Sequence, residues 1–150
     1  MFKLSQKGFS FIEIIVVLAI VSIIAILGTG FYSRFLTQNS VTNTTDHMIS
    51  QLRRAQLYKM MGKQNAGSFG VKYSETPTKQ VTYYLSGNAS FDENYKINDN
   101  ITITPTTFDI NFTQISGVPT GATFPFTITI VGNNSSESIT INSEGVVSKN

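Results

Sequence analysis

The chain contains no cysteine, which excludes a disulfide staple, a thiol nucleophile and a thiolate metal site. Its single histidine, His47, follows Asp46. Adjacent residues of a helix do not face each other, so this pair does not indicate a Ser-His-Asp arrangement. We expect His47 to be a solvated residue on a helix face, and we expect neither enzymatic activity nor a cofactor.

Excess charge of one sign is also lacking. The full chain carries a net charge of +2, but residues 1–8 hold two of the lysines, and the remainder has nine basic and nine acidic side chains. This balance gives no argument for nucleic acid binding. One acidic grouping is present: Asp92, Glu93 and Asp99 lie in an asparagine-rich stretch. A calcium site in this loop is one interpretation, and an ordinary solvated loop is the simpler one.

A long apolar stretch is the main positive feature of the sequence. Residues 14–27 include no charge and one polar side chain, Ser22, and Glu13 is the only residue charged at neutral pH between Lys7 and Arg34. About 20 helical residues cover the roughly 30 Å of a bilayer core, so the stretch is long enough to cross a membrane. Positive charge before the stretch favours a cytoplasmic amino end. We therefore expect a single-pass protein of the inner membrane with its later residues outside the cytoplasm.

Glu13 is the unusual residue of this stretch, because a carboxylate in an apolar membrane helix is costly without a partner. One interpretation is that it reaches the lipid headgroups. The other is that it pairs with a positive charge from a neighbouring molecule. A free amino terminus, made by cutting the chain just before Phe9, would supply such a charge.

Residues 7–13 read KGFSFIE. This segment resembles the class III signal of type IV pilins and type II secretion pseudopilins. The resemblance implies that prepilin peptidase removes the leader 1–8 after Gly8, that Phe9 becomes the N-methylated first residue, and that Glu13 is the carboxylate used in filament assembly. It also implies that residues 9–35 form a transmembrane and assembly helix, with other pilins or pseudopilins as partners.

Two glycines, Gly28 and Gly30, lie near the end of the apolar stretch. Each lowers helix propensity by about 1 kcal/mol. The resemblance implies that such a glycine region can unwind locally during assembly, which makes the pair a candidate hinge. An alternative is that Gly28 and Gly30 mark a signal peptidase site, which would release a freely secreted β-domain beginning at Phe31.

The helix is predicted to continue through residues 36–63. Val41, Met48, Leu52 and Ala55 fall on one stripe at helical spacing, with Ile49 beside them. Gly62 is predicted to end the helix as a left-handed cap. This pattern indicates an amphipathic continuation of the helix that packs against another layer.

Residues 64–150 are predicted to form a β-rich domain outside the cytoplasm. Alternating apolar residues predict strands at 69–73, 81–86, 101–104, 108–115, 124–131, 138–142 and 146–149. Turns are predicted at 86–88, 117–121, 132–134 and 142–145. The expected fold is α+β, with a long N-terminal helix packed on an antiparallel β-sheet domain in a pilin-like arrangement.

This second half is also similar to the H-type minor pseudopilins (GspH/FimT-like), in the basic stretch 52–56 and in a final hairpin that ends at residues 145–147. The resemblance implies a structural, minor subunit of a type II secretion pseudopilus or a type IV pilus. A DNA-binding competence pilin (FimT-like) is the alternative. Residues 143–150 contain one lysine and no arginine, however, so nucleic acid is an unlikely partner.

The first residue of the mature protein separates these interpretations. We expect N-terminal sequencing of protein isolated from membranes to begin at an N-methylated Phe9, because the leader is cut after Gly8. A chain that begins at Phe31 would instead support the secreted β-domain, and an intact Met1 would contradict both.

Overall fold

The computed structural model describes residues 9–63 and 67–150. Its contacts divide the chain into two units, one ending at Phe35 and the other comprising Leu36–Asn150. One helix, α1, covers Phe11–Met60 and contributes to both units. The leader 1–8, including Gly8, lies outside the described residues.

In the first unit, α1 presents apolar side chains to its surroundings on every side. The 18-residue window that qualifies α1 as a membrane span has none of its residues buried, and Phe11, Leu18 and Ile26 are 79%, 60% and 72% exposed. A helix that is apolar all round needs an apolar environment outside its own chain.

In the second unit, α1 is amphipathic, as predicted. Its buried residues follow helical spacing and comprise Val41, Thr44, Thr45, Met48, Ile49, Leu52 and Ala55. The apolar side chains among them belong to one hydrophobic core that includes residues of both β-sheets. The predicted stripe is therefore confirmed, with two buried threonines added to it.

The end of α1 is set by Gly62, also as predicted. Gly62 has a φ of 63°, which is left-handed and free of the clash that a Cβ would cause. Its N–H donates to the carbonyl of Lys59, and the N–H of Lys63 donates to the carbonyl of Tyr58, both at 3.1 Å. This pair of bonds satisfies carbonyls that the helix end would leave unpaired.

Among residues 67–150, nine strands form two antiparallel sheets. They are β1 Phe69–Ser74, β2 Gln80–Leu85, β3 Glu93–Lys96, β4 Thr102–Thr104, β5 Thr107–Phe112, β6 Pro119–Thr120, β7 Phe126–Gly132, β8 Ser135–Ile141 and β9 Val147–Lys149. The first sheet has the order β3-β2-β1-β5-β6 and the second β4-β7-β8-β9. The α+β, pilin-like fold expected from the sequence is confirmed.

The seven predicted strands are all present, although several bounds shift by one to three residues. The strand expected at 108–115 ends at Phe112, because the chain turns at Ile115, whose φ is 71°. Two strands were not predicted. β3 lies at an edge and has no buried residue, and β6 is only two residues long and falls inside the turn predicted at 117–121. Neither strand has an apolar alternation that sequence reading can detect.

Close packing of α1 on the second sheet depends on a glycine. A Cβ at Gly132 would lie 2.7 Å from a methyl carbon of Val41 and 2.8 Å from that of Thr37. The β7–β8 hairpin turns directly after this residue, at Asn133 and Asn134. The turn predicted at 132–134 is therefore confirmed. At Gly132 the strand β7 lies too close to α1 for a side chain to fit without displacing Val41 or Thr37.

The last strand is fastened to α1 by charged and polar contacts. The Lys149 ammonium lies 2.9 Å from a carboxylate oxygen of Asp46 on α1 and 3.0 Å from one of Glu137 on β8. The Arg53 guanidinium donates to the carbonyl of Val147 at 3.1 Å. A chain without cysteine thus holds its C-terminal strand in place by ion pairs and backbone hydrogen bonds.

The core of the second unit gives a direct test of this packing. Leu52→Ala is expected to lower the free energy of unfolding of residues 36–150 by about 2–5 kcal/mol, because it leaves a cavity where a fully buried side chain stood. Urea denaturation followed by circular dichroism measures the change. Leu57→Ala is the matched control: Leu57 lies on the same helix but is 53% exposed, so its loss should be several-fold smaller. Equal losses for the two variants would contradict the packing described.

Candidate functional site: the start of the N-terminal helix

The candidate site is the first turn of α1, where Glu13 is the acidic residue. The carbonyl of Ser10 accepts from the N–H groups of Glu13 and Ile14, at 3.0 and 3.3 Å. The Glu13 carboxylate in turn accepts from the N–H of Ser10 at 3.4 Å. Glu13 therefore makes the carboxylate half of a capping box, in which the side chain at the third helical position satisfies a free backbone donor at the start of the helix.

This capping contact of Glu13 was not predicted, although Ser-x-x-Glu before an apolar run is the sequence pattern that indicates it. The capping contact gives Glu13 a partner within its own chain. Glu13 and Phe9 nevertheless both remain exposed, Phe9 by 81%. The structure thus places the predicted first residue and the predicted assembly carboxylate at the same end of the helix, where a neighbouring molecule can reach both.

The polar side chains farther along the apolar helix are satisfied internally. The Ser22 hydroxyl donates to the carbonyl of Leu18 at 2.7 Å, and the Thr29 hydroxyl donates to that of Ile26 at 2.8 Å. Such bonds let a hydroxyl sit in hydrocarbon without an unsatisfied donor. Within the described residues, α1 is the one helix long and apolar enough to cross a membrane, by length and composition.

Gly28 and Gly30 both lie inside α1, and a Cβ added at either would meet nothing within 4 Å. Steric need therefore does not explain either glycine in the isolated chain. Their proposed use as a hinge stays a prediction.

His47 differs from its prediction. It is half-buried, and its ring stacks on Tyr95 of β3 with centroids 4.0 Å apart and an interplanar angle of 20°. Its Nδ1 is buried without a hydrogen-bond partner among the described residues. Burial lowers the pKa of His47 below 6.5, and the nearby Glu93 carboxylate only partly opposes this. The expected solvated histidine is thus a packing residue, because the unpredicted strand β3 covers it.

The acidic stretch around residues 92–99 does not form a cluster. Glu93 belongs to β3, and both of its carboxylate oxygens accept from the Arg54 guanidinium, at 2.7 and 2.8 Å. This hydrogen bonding lowers the pKa of Glu93. Across residues 9–63 and 67–150, no group of three His, Cys, Asp or Glu side chains is placed to hold a metal ion.

The basic side chains of the second unit are mostly engaged with that unit. Arg54 pairs with Glu93 and also lies 4.6 Å from the Tyr83 ring centroid. Contacts with acceptors or rings of the same unit are also made by Arg53, Lys59, Lys63, Lys72, Lys79 and Lys149. DNA binding requires several cations that reach phosphates together. The contacts above engage most of these cations separately within the second unit.

The lowered pKa values of His47 and Glu93 predict how the stability of the second unit depends on pH. His47 binds a proton more readily in the unfolded chain, so its contribution is lost as pH falls below 6.5. Glu93, whose folded pKa is lowered, adds stability that is lost as pH falls below 4.5, by less than about 1 kcal/mol because the pair is partly exposed.

Chemical denaturation of residues 36–150 between pH 7.5 and 3.5 measures both effects. His47→Phe keeps a ring beside Tyr95 and should reduce the loss between pH 7 and 5. Glu93→Gln should reduce only the loss below pH 4.5. Unchanged profiles for both variants would show that neither group contributes in this way.

Comparison with known proteins addresses the N-terminal region. The family model described as the prokaryotic N-terminal methylation motif matches residues 3–29. Neither the curated proteins nor the solved structures provide a match to the chain. The matched residues include the segment 7–13 and most of the apolar half of α1. The N-terminal region of the chain therefore carries a prokaryotic N-terminal methylation motif.

Proposed function

We propose that the chain is a structural subunit of a type IV pilus or a type II secretion pseudopilus. The main support for this proposal is the surface of the first unit. The helix there is apolar and exposed on all sides, and it has one carboxylate, Glu13, at its start. Before assembly, lipid covers such a surface. In a filament, the corresponding helices of neighbouring subunits take the place of lipid.

In this proposal, prepilin peptidase cuts after Gly8 in the inner membrane, and Phe9 becomes the N-methylated first residue. The new amine carries a positive charge within reach of the first helical turn. The Glu13 carboxylate of an incoming subunit pairs with the amine of its neighbour. This pairing offsets the cost of keeping a charge in an apolar medium and sets the axial register between subunits.

The second unit supports a minor, H-type subunit. Residues 52–56 of α1 precede two antiparallel sheets, and the chain closes with the β8–β9 hairpin. These are the features on which the resemblance to H-type minor pseudopilins rests. This unit would lie outside the cytoplasm, and Gly28 and Gly30 would allow α1 to unwind locally as the subunit leaves the membrane.

Two substitutions separate charge pairing from helix capping as the role of Glu13. Glu13→Gln keeps a side-chain oxygen that can accept from the N–H of Ser10, but it removes the charge. Glu13→Val removes both. We expect both variants to insert into the membrane normally and to reduce recovery of the subunit in sheared filaments at least about tenfold, equivalent to about 1.4 kcal/mol.

Ser10→Ala is the matched control, because the capping bond uses the backbone N–H of residue 10 and the substitution leaves it in place. It should assemble normally. Carbonate extraction of membranes confirms insertion of each variant. If Glu13→Gln assembled like the unaltered protein while Glu13→Val did not, capping alone would explain Glu13 and the charge-pairing mechanism would be wrong.

A further inference from the structure

The chain holds six Asn-X-Ser/Thr triplets in which X is not proline, beginning at Asn43, Asn88, Asn100, Asn111, Asn133 and Asn134. All six lie in the unit Leu36–Asn150. This triplet is the acceptor motif for an N-linked oligosaccharide, a modification made on segments outside the cytoplasm. The triplet alone is common, so the exposure and the local structure of each of the six asparagines must show which one is best placed to accept a sugar.

Three of the triplets are poorly placed to accept a sugar. Asn111 lies within β5 and its side chain is held by the Tyr84 hydroxyl at 2.8 Å, while the next residue, Phe112, is buried. Asn43 lies on α1, and the other two residues of its triplet, Thr44 and Thr45, are buried. Asn100 is exposed, but the middle residue of its triplet, Ile101, is 1% exposed.

The two triplets at the β7–β8 turn are better placed but are not fully open. Asn133 and Asn134 are exposed at the tip of the hairpin. Ser135 is half-buried and pairs with Gly132 in the ladder, and it belongs to both triplets. A transferase would have to disturb the end of this hairpin to contact all three residues.

The triplet 88–90 is different, because all three of its residues are exposed. It lies in the connection between β2 and β3, where the run 86–91 is exposed throughout. The Asn88 side-chain oxygen accepts from the backbone N–H of Ser90 at 3.1 Å. This contact makes Asn88 the N-cap of a single 3-10 turn, Ala89–Phe91, and it uses only the amide oxygen. The amide nitrogen, which would accept the sugar, makes no hydrogen bond among the described residues.

We infer that Asn88 is the acceptor of an N-linked oligosaccharide. The co-reactant is a lipid-pyrophosphate-linked oligosaccharide, and a membrane-bound glycosyltransferase catalyses the transfer. A bond forms between the Asn88 amide nitrogen and the first carbon of the sugar. The bond between that carbon and the pyrophosphate oxygen breaks, its electron pair leaves with the lipid pyrophosphate, and one amide proton passes to a base of the transferase.

The inference rests on the proposed function in one respect, because the transfer needs the second unit to lie outside the cytoplasm. Membrane attachment would then serve a second purpose. A subunit that waits in the membrane before assembly is held on the same surface as the lipid-linked sugar and its transferase. The modified residue would project from an exposed connection of the β-domain, away from the buried core that α1 and the two sheets share.

Mass spectrometry of the full-length protein isolated from its own cells tests the inference. Trypsin releases one peptide, residues 80–96, that contains both Asn88 and Asn94. We expect this peptide to carry the added mass of an oligosaccharide, and fragmentation to place that mass on Asn88. Asn94 is an internal control, since it is exposed but starts no Asn-X-Ser/Thr triplet.

Three variants sharpen the test. Ser90→Ala keeps the backbone N–H that Asn88 accepts from, so the connection should fold unchanged, yet the modification should be lost. Ser90→Thr should retain it. Asn88→Gln should abolish it, and circular dichroism should show the same folded domain in all three. Modification that persists in Ser90→Ala would overturn the triplet-dependent mechanism.

A protease-accessibility measurement on intact spheroplasts distinguishes a failure of the glycosylation inference from a failure of the proposed placement outside the cytoplasm. If external protease digests the β-domain and residues 80–96 are unmodified at Asn88, the glycosylation inference is wrong while the proposed placement stands. If the domain is protected until the membrane is opened, the placement outside the cytoplasm is wrong, and the inference falls with it.

Discussion

The structure depends on one constraint: an apolar helical surface in residues 9–35 that carries a single carboxylate and has no cover from the rest of the described chain. Lipid or other helices must surround this surface, because water would leave many large apolar side chains exposed. The carboxylate then needs a counter-charge in the same medium. A peptidase cut before Phe9 would create such a charge, so the proposed processing and the proposed assembly would both meet one electrostatic requirement.

The second half of the same helix is stabilised in a different way, by packing against its own domain. From Val41 to Ala55 it buries one face in a core shared with two sheets, and its other residues anchor the ends of strands through polar contacts. Arg54 holds the edge strand β3 through Glu93, and Asp46 holds the last strand through Lys149. These ion pairs fix strand positions in a domain that has no disulfide, and they also occupy cations that nucleic acid binding would require.

Sequence reading was reliable where one residue or a regular period decides the structure. The apolar stripe on α1, the cap at Gly62, the turn at 132–134 and all described strands except β3 and β6 could be predicted, because each depends on local chain geometry or on alternation. It failed for β3 and β6, which lie at the edges of their sheet and lack alternation. The prediction that His47 is solvated was wrong because β3 was not predicted, and Tyr95 of β3 supplies the ring that covers His47.

The sequence alone determined the membrane-length helix, the N-terminal methylation motif and the identity of Glu13 as the exceptional charge, because these properties belong to a contiguous segment. Only the tertiary structure decided which polar residues are engaged and which are open. Arg54 and Glu93 are 39 positions apart and meet only because β3 folds against α1. Likewise, six triplets fit the same Asn-X-Ser/Thr pattern, and burial, strand pairing and turn position distinguish Asn88 from Asn111, because accessibility is set by the packing of distant segments.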